Sequence, residues 1–156
     1  LAVRSTLVND LEFEVCFPSE FGFEKIARDA VACFARRLGF SASQIDDLKT
    51  VTCEACVNAI EHGNHCLPEQ IVQVRCCGRS GFLFVEIIDQ GQFTIPLTFQ
   101  APSMSMKLQG LAAKRGMGIQ IIGFLVDEFG FEPLPEGGTR FWFAMTKERI
   151  NDDAGR

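Results

Sequence analysis

The hydrophobic patterning predicts an α+β fold, a two-layer α/β sandwich whose mixed, mostly antiparallel sheet carries its helices on one face. Three observations predict it. Alternating and helical periods succeed one another in the order strand, helix, helix, strand, strand, irregular segment, helix, strand, strand. Short glycine-bearing turns, Gly78-Arg79-Ser80-Gly81 and Pro135-Glu136-Gly137-Gly138, make hairpin partners of the strands they join. Strands outnumber crossover helices, which argues against a doubly wound parallel sheet.

Residues 11 to 17 (LEFEVCF) alternate apolar and polar side chains, the pattern of a half-buried strand. Pro18-Ser19-Glu20 breaks it. From Phe21 to Leu38 the apolar residues Phe23, Ile26, Ala27, Ala30, Val31 and Phe34 recur at three and four, with Arg36 and Arg37 suited to the carboxyl end and Gly39 to the stop. Ser41-Ala42-Ser43-Gln44 is a capping box for a second helix running to about His62, with Gly63 as its cap. Strands follow at 70 to 77 and 82 to 89. From Gln90 to Arg115 no period is sustained, and so long an irregular stretch predicts a functional loop or lid, at about 91–115. A helix from Met117 to Glu128 and strands at 129 to 133 and 139 to 146 complete a single domain, 1–156.

The composition narrows the function classes. A chain of 156 residues with 47% hydrophobic content can build a real core. Its net charge of −5 argues against a nucleic-acid surface. No apolar run reaches the roughly 18 residues of a membrane span. Seven cysteines, an odd number lying mostly in apolar-periodic segments, fit a reducing cytoplasm better than a disulfide framework. The chain opens on Leu1 with no secretory leader after it, as a trimmed chain or a domain of a larger protein would.

The stretch CEACVNAIEHGNH, Cys53 to His65, holds Cys-x-x-Cys and His-x-x-His spacings. On a helical wheel Ile45, Leu48, Ala55, Cys56, Ala59 and Ile60 share one arc, and Asp47, Glu54, Asn58, Glu61 and His62 the other. One helix that sends its cysteines and histidines to opposite sides cannot close a zinc tetrahedron. The polar arc reads either as a solvated face or as a site. Glu54 and Asn58, four apart, are neighbours. A carboxylate can accept a hydroxyl proton, and a carboxamide oxygen beside it can meet a hard cation, so the pair suits magnesium-phosphate chemistry.

Three further pieces lie downstream. Asp89-Gln90-Gly91 ends an apolar strand, where an acid can accept from an amino group, or simply make a turn. Gly116-Met117-Gly118, preceded by Lys114 and Arg115, opens a helix whose free N–H groups suit phosphate. It is neither a dinucleotide fingerprint nor a Walker loop. Gly137-Gly138-Thr139 opens the last strand and can aim a hydroxyl into a pocket, or serve only as a hairpin turn.

In this order the four pieces resemble the Bergerat ATP-binding fold of the GHKL superfamily, shared by type II topoisomerases, sensor histidine kinases and the mismatch-repair protein MutL. EACVNAIEHG resembles the N-box, DQG the first glycine box, RGMGIQII the second, and GGT the signature of the last strand. Within the superfamily the chain most resembles the bacterial anti-sigma serine/threonine kinases. The resemblance implies ATP and Mg²⁺ as cofactors, with Glu54 as general base and Asn58 holding Mg²⁺ against the phosphates. It implies Asp89 on the adenine amino group, Thr139 near the same ring, and Gly116, Met117, Gly118 and Ile119 at the phosphates, with Lys114 or Arg115 toward the terminal one. His62, Gly63, Gly91 and Phe93 would border the nucleotide. The partners implied are a sigma factor and a STAS-type anti-sigma antagonist whose serine is phosphorylated, with neither direct nucleic-acid contact nor a membrane, and homodimerisation as relatives show.

The chain departs from the family's first glycine box, usually Asp-x-Gly-x-Gly, in carrying Phe93 at the second glycine. That departure keeps open a non-catalytic ATP-binding module, and the start at Leu1 keeps open the kinase-like domain of a larger signalling protein.

Overall fold

The computed structural model describes residues 10–92 and 118–148. Among the described residues there are five strands: β1 (Leu11–Pro18), β2 (Ile71–Arg79), β3 (Phe82–Ile88), β4 (Glu128–Pro133) and β5 (Thr139–Thr146). Three α-helices accompany them there: α1 (Glu24–Arg37), α2 (Ala42–Asn58) and α3 (Gly118–Leu125). The sheet order is β1-β2-β3-β5-β4. All four pairings are antiparallel, so the described sheet is simpler than the mixed one expected.

The sheet has two unlike faces because its strands alternate. Val72, Val74 and Cys76 of β2, Leu83, Val85 and Ile87 of β3, and Phe141, Phe143 and Met145 of β5 are buried with α1 and α2 residues in one core. The opposite face carries Arg75 paired with Glu14 across β1 and β2, and Arg140 bridging Glu86 and Glu132 on its two neighbouring strands. There Trp142 stacks on Phe84 at 5.8 Å between ring centroids. Helices on one face and a half-polar surface on the other make the two-layer sandwich expected from the order of elements.

The elements end for local reasons. α1 stops in a Schellman arrangement: Gly39 takes φ +83, its N–H donates to Arg36 O, and Phe40 N–H donates to Ala35 O. α2 starts with the anticipated capping box, Ser41 accepting from Gln44 N at 3.2 Å and Gln44 Oε1 accepting from Ser41 N at 3.4 Å. Gln44 then donates to Thr146 O at 2.9 Å, which ties the start of α2 to the end of β5.

Several boundaries differ from those the sequence suggests. The β2–β3 turn is Ser80-Gly81 alone. Gly78 belongs to β2, and a glycine suits it because a Cβ there would meet Leu38 Cδ1 at 2.5 Å. α1 begins at Glu24 after a turn, and α3 ends at Leu125 because Asp127 N already bonds Ala144 O across to β5. The largest difference is at the end of α2. The α-helix stops at Asn58 and a single π turn, Ala59–Gly63, follows. Gly63 is therefore not a left-handed cap. The left-handed residues come later and are not glycines: His65 at φ 52 and Cys66 at φ 56. The expected lid falls, from residue 93 onward, outside the described residues.

Candidate functional site

Asp89 is the centre of the site. It leaves β3 on the core side of the sheet and is 7% exposed. Its Oδ1 accepts from Gly91 N at 3.0 Å and from Thr139 N at 3.1 Å, while its own N–H donates to Thr139 O at 3.0 Å. Oδ2 has no hydrogen-bond donor among the described residues and lies against Gly63. Burial pushes the carboxyl up from its ordinary range, and the two backbone N–H groups and the charge of His65 only partly offset this.

Three glycines make room for this aspartate, for three separate reasons. A Cβ on Gly63 would come within 2.4 Å of the Asp89 carboxyl, and one on Gly91 within 1.8 Å of Gly63 O. A Cβ on Gly138 would come within 2.1 Å of Asp89 O, and Gly138 also holds φ +100. The end of α2, the exit of β3 and the start of β5 are thus packed backbone to backbone around one acid. The π turn belongs to this geometry. One extra residue in the turn sets Gly63 against Asp89, and such turns are frequent at functional sites.

Glu54 and Asn58 sit half-buried on the last two turns of α2. Neither side chain has a hydrogen-bond partner among the described residues. From Glu54 to Gly63 is about 13 Å of helix at most, so one rod carries the carboxylate, the carboxamide and the glycine that faces Asp89. Asn58 fits a cation held mainly by phosphate and water, because it brings an uncommitted hard oxygen. Among the described residues no group of three or more His, Cys, Asp or Glu is placed to hold a metal by itself. The cysteines and histidines separate as the wheel predicts: Cys56 is fully buried and Cys53 half-buried, while His62 and His65 are exposed. All seven cysteines are free thiols.

Of the sequence-predicted residues, Gly63, Asp89, Gly91 and Thr139 are brought into contact, and Glu54 and Asn58 lie on the helix leading to them. Thr139 takes part through its backbone, a role that its hydroxyl did not signal. His62 is exposed in the π turn. Gly118 and Ile119 open α3. Phe93, Lys114, Arg115, Gly116 and Met117 lie outside the described residues.

Sequence reasoning missed Asn64, which is fully buried. Its Nδ2 donates to Ser19 Oγ at 2.8 Å and to Ile71 O at 3.2 Å, and its Oδ1 accepts from Gln90 N at 2.8 Å. An asparagine following His-Gly at a helix end, among polar neighbours, looks like an ordinary turn residue, and no local signal in the sequence marks it out.

Comparison with known proteins agrees with this geometry. Residues 18–144 match the family described as the histidine kinase-like ATPase domain. The chain is 30% identical over 144 residues to a protein of Oceanobacillus iheyensis named anti-sigma F factor, covering 88% of this chain and 92% of that one. It is 29% identical over 128 residues to the anti-sigma F factor of Geobacillus stearothermophilus, covering 82% and 87% respectively. The crystal structure of the RsbU and RsbW domains of a Mycobacterium tuberculosis protein superposes with a TM-score of 0.63 at 18% identity. That match covers 89% of this chain and 33% of the longer one, and shows the common fold.

Proposed function

The chain belongs to the histidine kinase-like ATPase domain family, in the branch of the anti-sigma kinases, and from that premise we propose that it is an ATP-dependent protein serine/threonine kinase. It transfers the γ-phosphoryl group of ATP to a serine of a STAS-type anti-sigma antagonist and sequesters a sigma factor in the cytoplasm. The observation that carries this reading is the uncommitted Oδ2 of Asp89. Oδ1 already holds two backbone N–H groups, so the carboxyl is oriented and one oxygen is left for a donor. The exocyclic amino group of adenine is such a donor; a guanine carbonyl would be repelled.

With adenine at Asp89, the triphosphate runs along α2 toward Asn58 and Glu54. Asn58 would hold Mg²⁺, which supplies neutralisation of phosphate charge when bound. Glu54 accepts the proton of the serine hydroxyl as its oxygen bonds to the γ-phosphorus. The bond from that phosphorus to the β-phosphate bridging oxygen breaks, and ADP leaves with the electron pair. Positioning supplies most of the rate, as expected when the protein forms no covalent bond itself.

The test is phosphoryl transfer from labelled Mg-ATP to a STAS-domain antagonist. Glu54→Gln is expected to lower transfer by at least about a hundredfold while ADP still binds. Equal rates in the variant and the unaltered protein would overturn the role of Glu54. Phe93 in place of the box's second glycine favours one other reading, a nucleotide-binding module without catalysis. ADP binding with no transfer in the unaltered chain would select it.

A further inference from the structure

A polar network centres on the buried Asn64. Four segments meet there: the end of β1 at Ser19, the turn after the π helix, the start of β2 at Gln70 and Ile71, and the exit of β3 at Gln90. Ser19 Oγ donates to Gln70 O at 2.8 Å and accepts from Asn64 Nδ2. On the other side Asn64 Oδ1 holds Gln90 N, and Gln90 Oε1 in turn accepts from Ile71 N at 2.6 Å. The residue between Asp89 and Gly91 is thus gripped twice, by its backbone and by its side chain.

We propose that Asn64, with Gln90, is a positioning pair for the nucleobase: the two carboxamides pin the Asp89–Gln90–Gly91 turn so that Asp89 presents Oδ2 to adenine. This rests on the reading of Asp89 as the adenine acceptor. Gly91 N holds Oδ1 only while the turn keeps its course, and Gln90 N is the link one residue before it. Released there, the turn can swing, Gly91 N leaves Oδ1, and the carboxyl loses its orientation. A carboxamide suits position 64 because the site asks one side chain to donate twice and accept once. A carboxylate lacks the donors and a hydroxyl lacks the reach.

The inference is tested by calorimetric titration of ADP and GDP into the full chain, with melting temperatures recorded beside it. Asn64→Ala is expected to weaken ADP by about tenfold and to narrow the preference for ADP over GDP. Gln90→Ala, at an exposed position, is expected to shift both readings in the same direction with little change in melting temperature. Ser19→Ala removes the far arm of the network; it should lower the melting temperature and leave ADP affinity and base preference alone. A purely structural role would make affinity follow melting temperature through all three variants and would leave the base preference intact, and either result overturns the proposal. Should Asn64→Ala fail to fold, an unchanged base preference in Gln90→Ala overturns it alone. Absence of ADP binding in the unaltered chain would instead sink the nucleotide reading itself.

Discussion

Asp89 shows how a binding residue acts on stability. Burial raises its folded-state pKa above the unfolded value of about 3.9. The folded chain therefore holds the proton more tightly than the unfolded chain. Asp89's contribution to the stability of the nucleotide-free protein should decline as pH rises from about 4 through the raised folded value, and then level off. Asp89→Asn keeps an oxygen for Gly91 N and Thr139 N but removes the buried charge. Its melting temperature without nucleotide is expected to equal or exceed that of the unaltered chain at pH 7, the difference between the two narrowing as pH falls toward 4, while ADP binding disappears. Melts between pH 4 and 8, paired with ADP titration, check both halves. A variant that melts lower at pH 7 and still binds ADP would contradict this account of the site.

α2 is the element on which the site is built. Its start is fixed by the capping box and by Gln44 reaching β5, its middle by Ile45, Leu48, Val51 and Ala55 in the core, and its end by the π turn against Asp89. These devices are separable. Ser41→Ala removes one cap and should lower stability by about 1 kcal/mol. Urea unfolding is expected to show that loss as a lower midpoint at unchanged slope, with ADP affinity intact, because the cap lies at the end of α2 away from Asn58 and Gly63. A matching loss of affinity would mean that the helix moves as one rigid lever.

At the scale of the whole molecule, α1, α2 and the sheet share one core, which makes two cysteines into reporters of its opening. Cys56 and Cys76 are 0% and 1% exposed, and burial pushes both thiols up, so neither forms a thiolate in the folded state. Cys16, Cys33 and Cys66 are exposed. Alkylation followed by mass spectrometry should find those three modified quickly, and Cys56 and Cys76 only as fast as the core opens. ADP at about a hundred times its dissociation constant should slow the buried pair about a hundredfold, since only the folded state binds it. Fast labelling of Cys56 in the presence of ADP would show that α2 frays independently of the site.

Fold class, family and the order of the described elements were legible in the chain alone, because they depend on local chemistry. Alternation at β1, the capping box at Ser41, the stop at Gly39 and the placing of Cys56 and His62 on opposite faces all follow from residues within a turn or two of one another. What packs against what was decided only by the tertiary structure. Gly63 looked like a cap and is a point of close approach, because the residue that demands it, Asp89, is far along the chain. The role of Thr139 lies in its backbone, and Asn64 became visible only once four distant segments had met around it. A hydrogen bond or a steric limit between remote residues leaves no periodic trace in a sequence, whereas a buried stripe or a helix cap does.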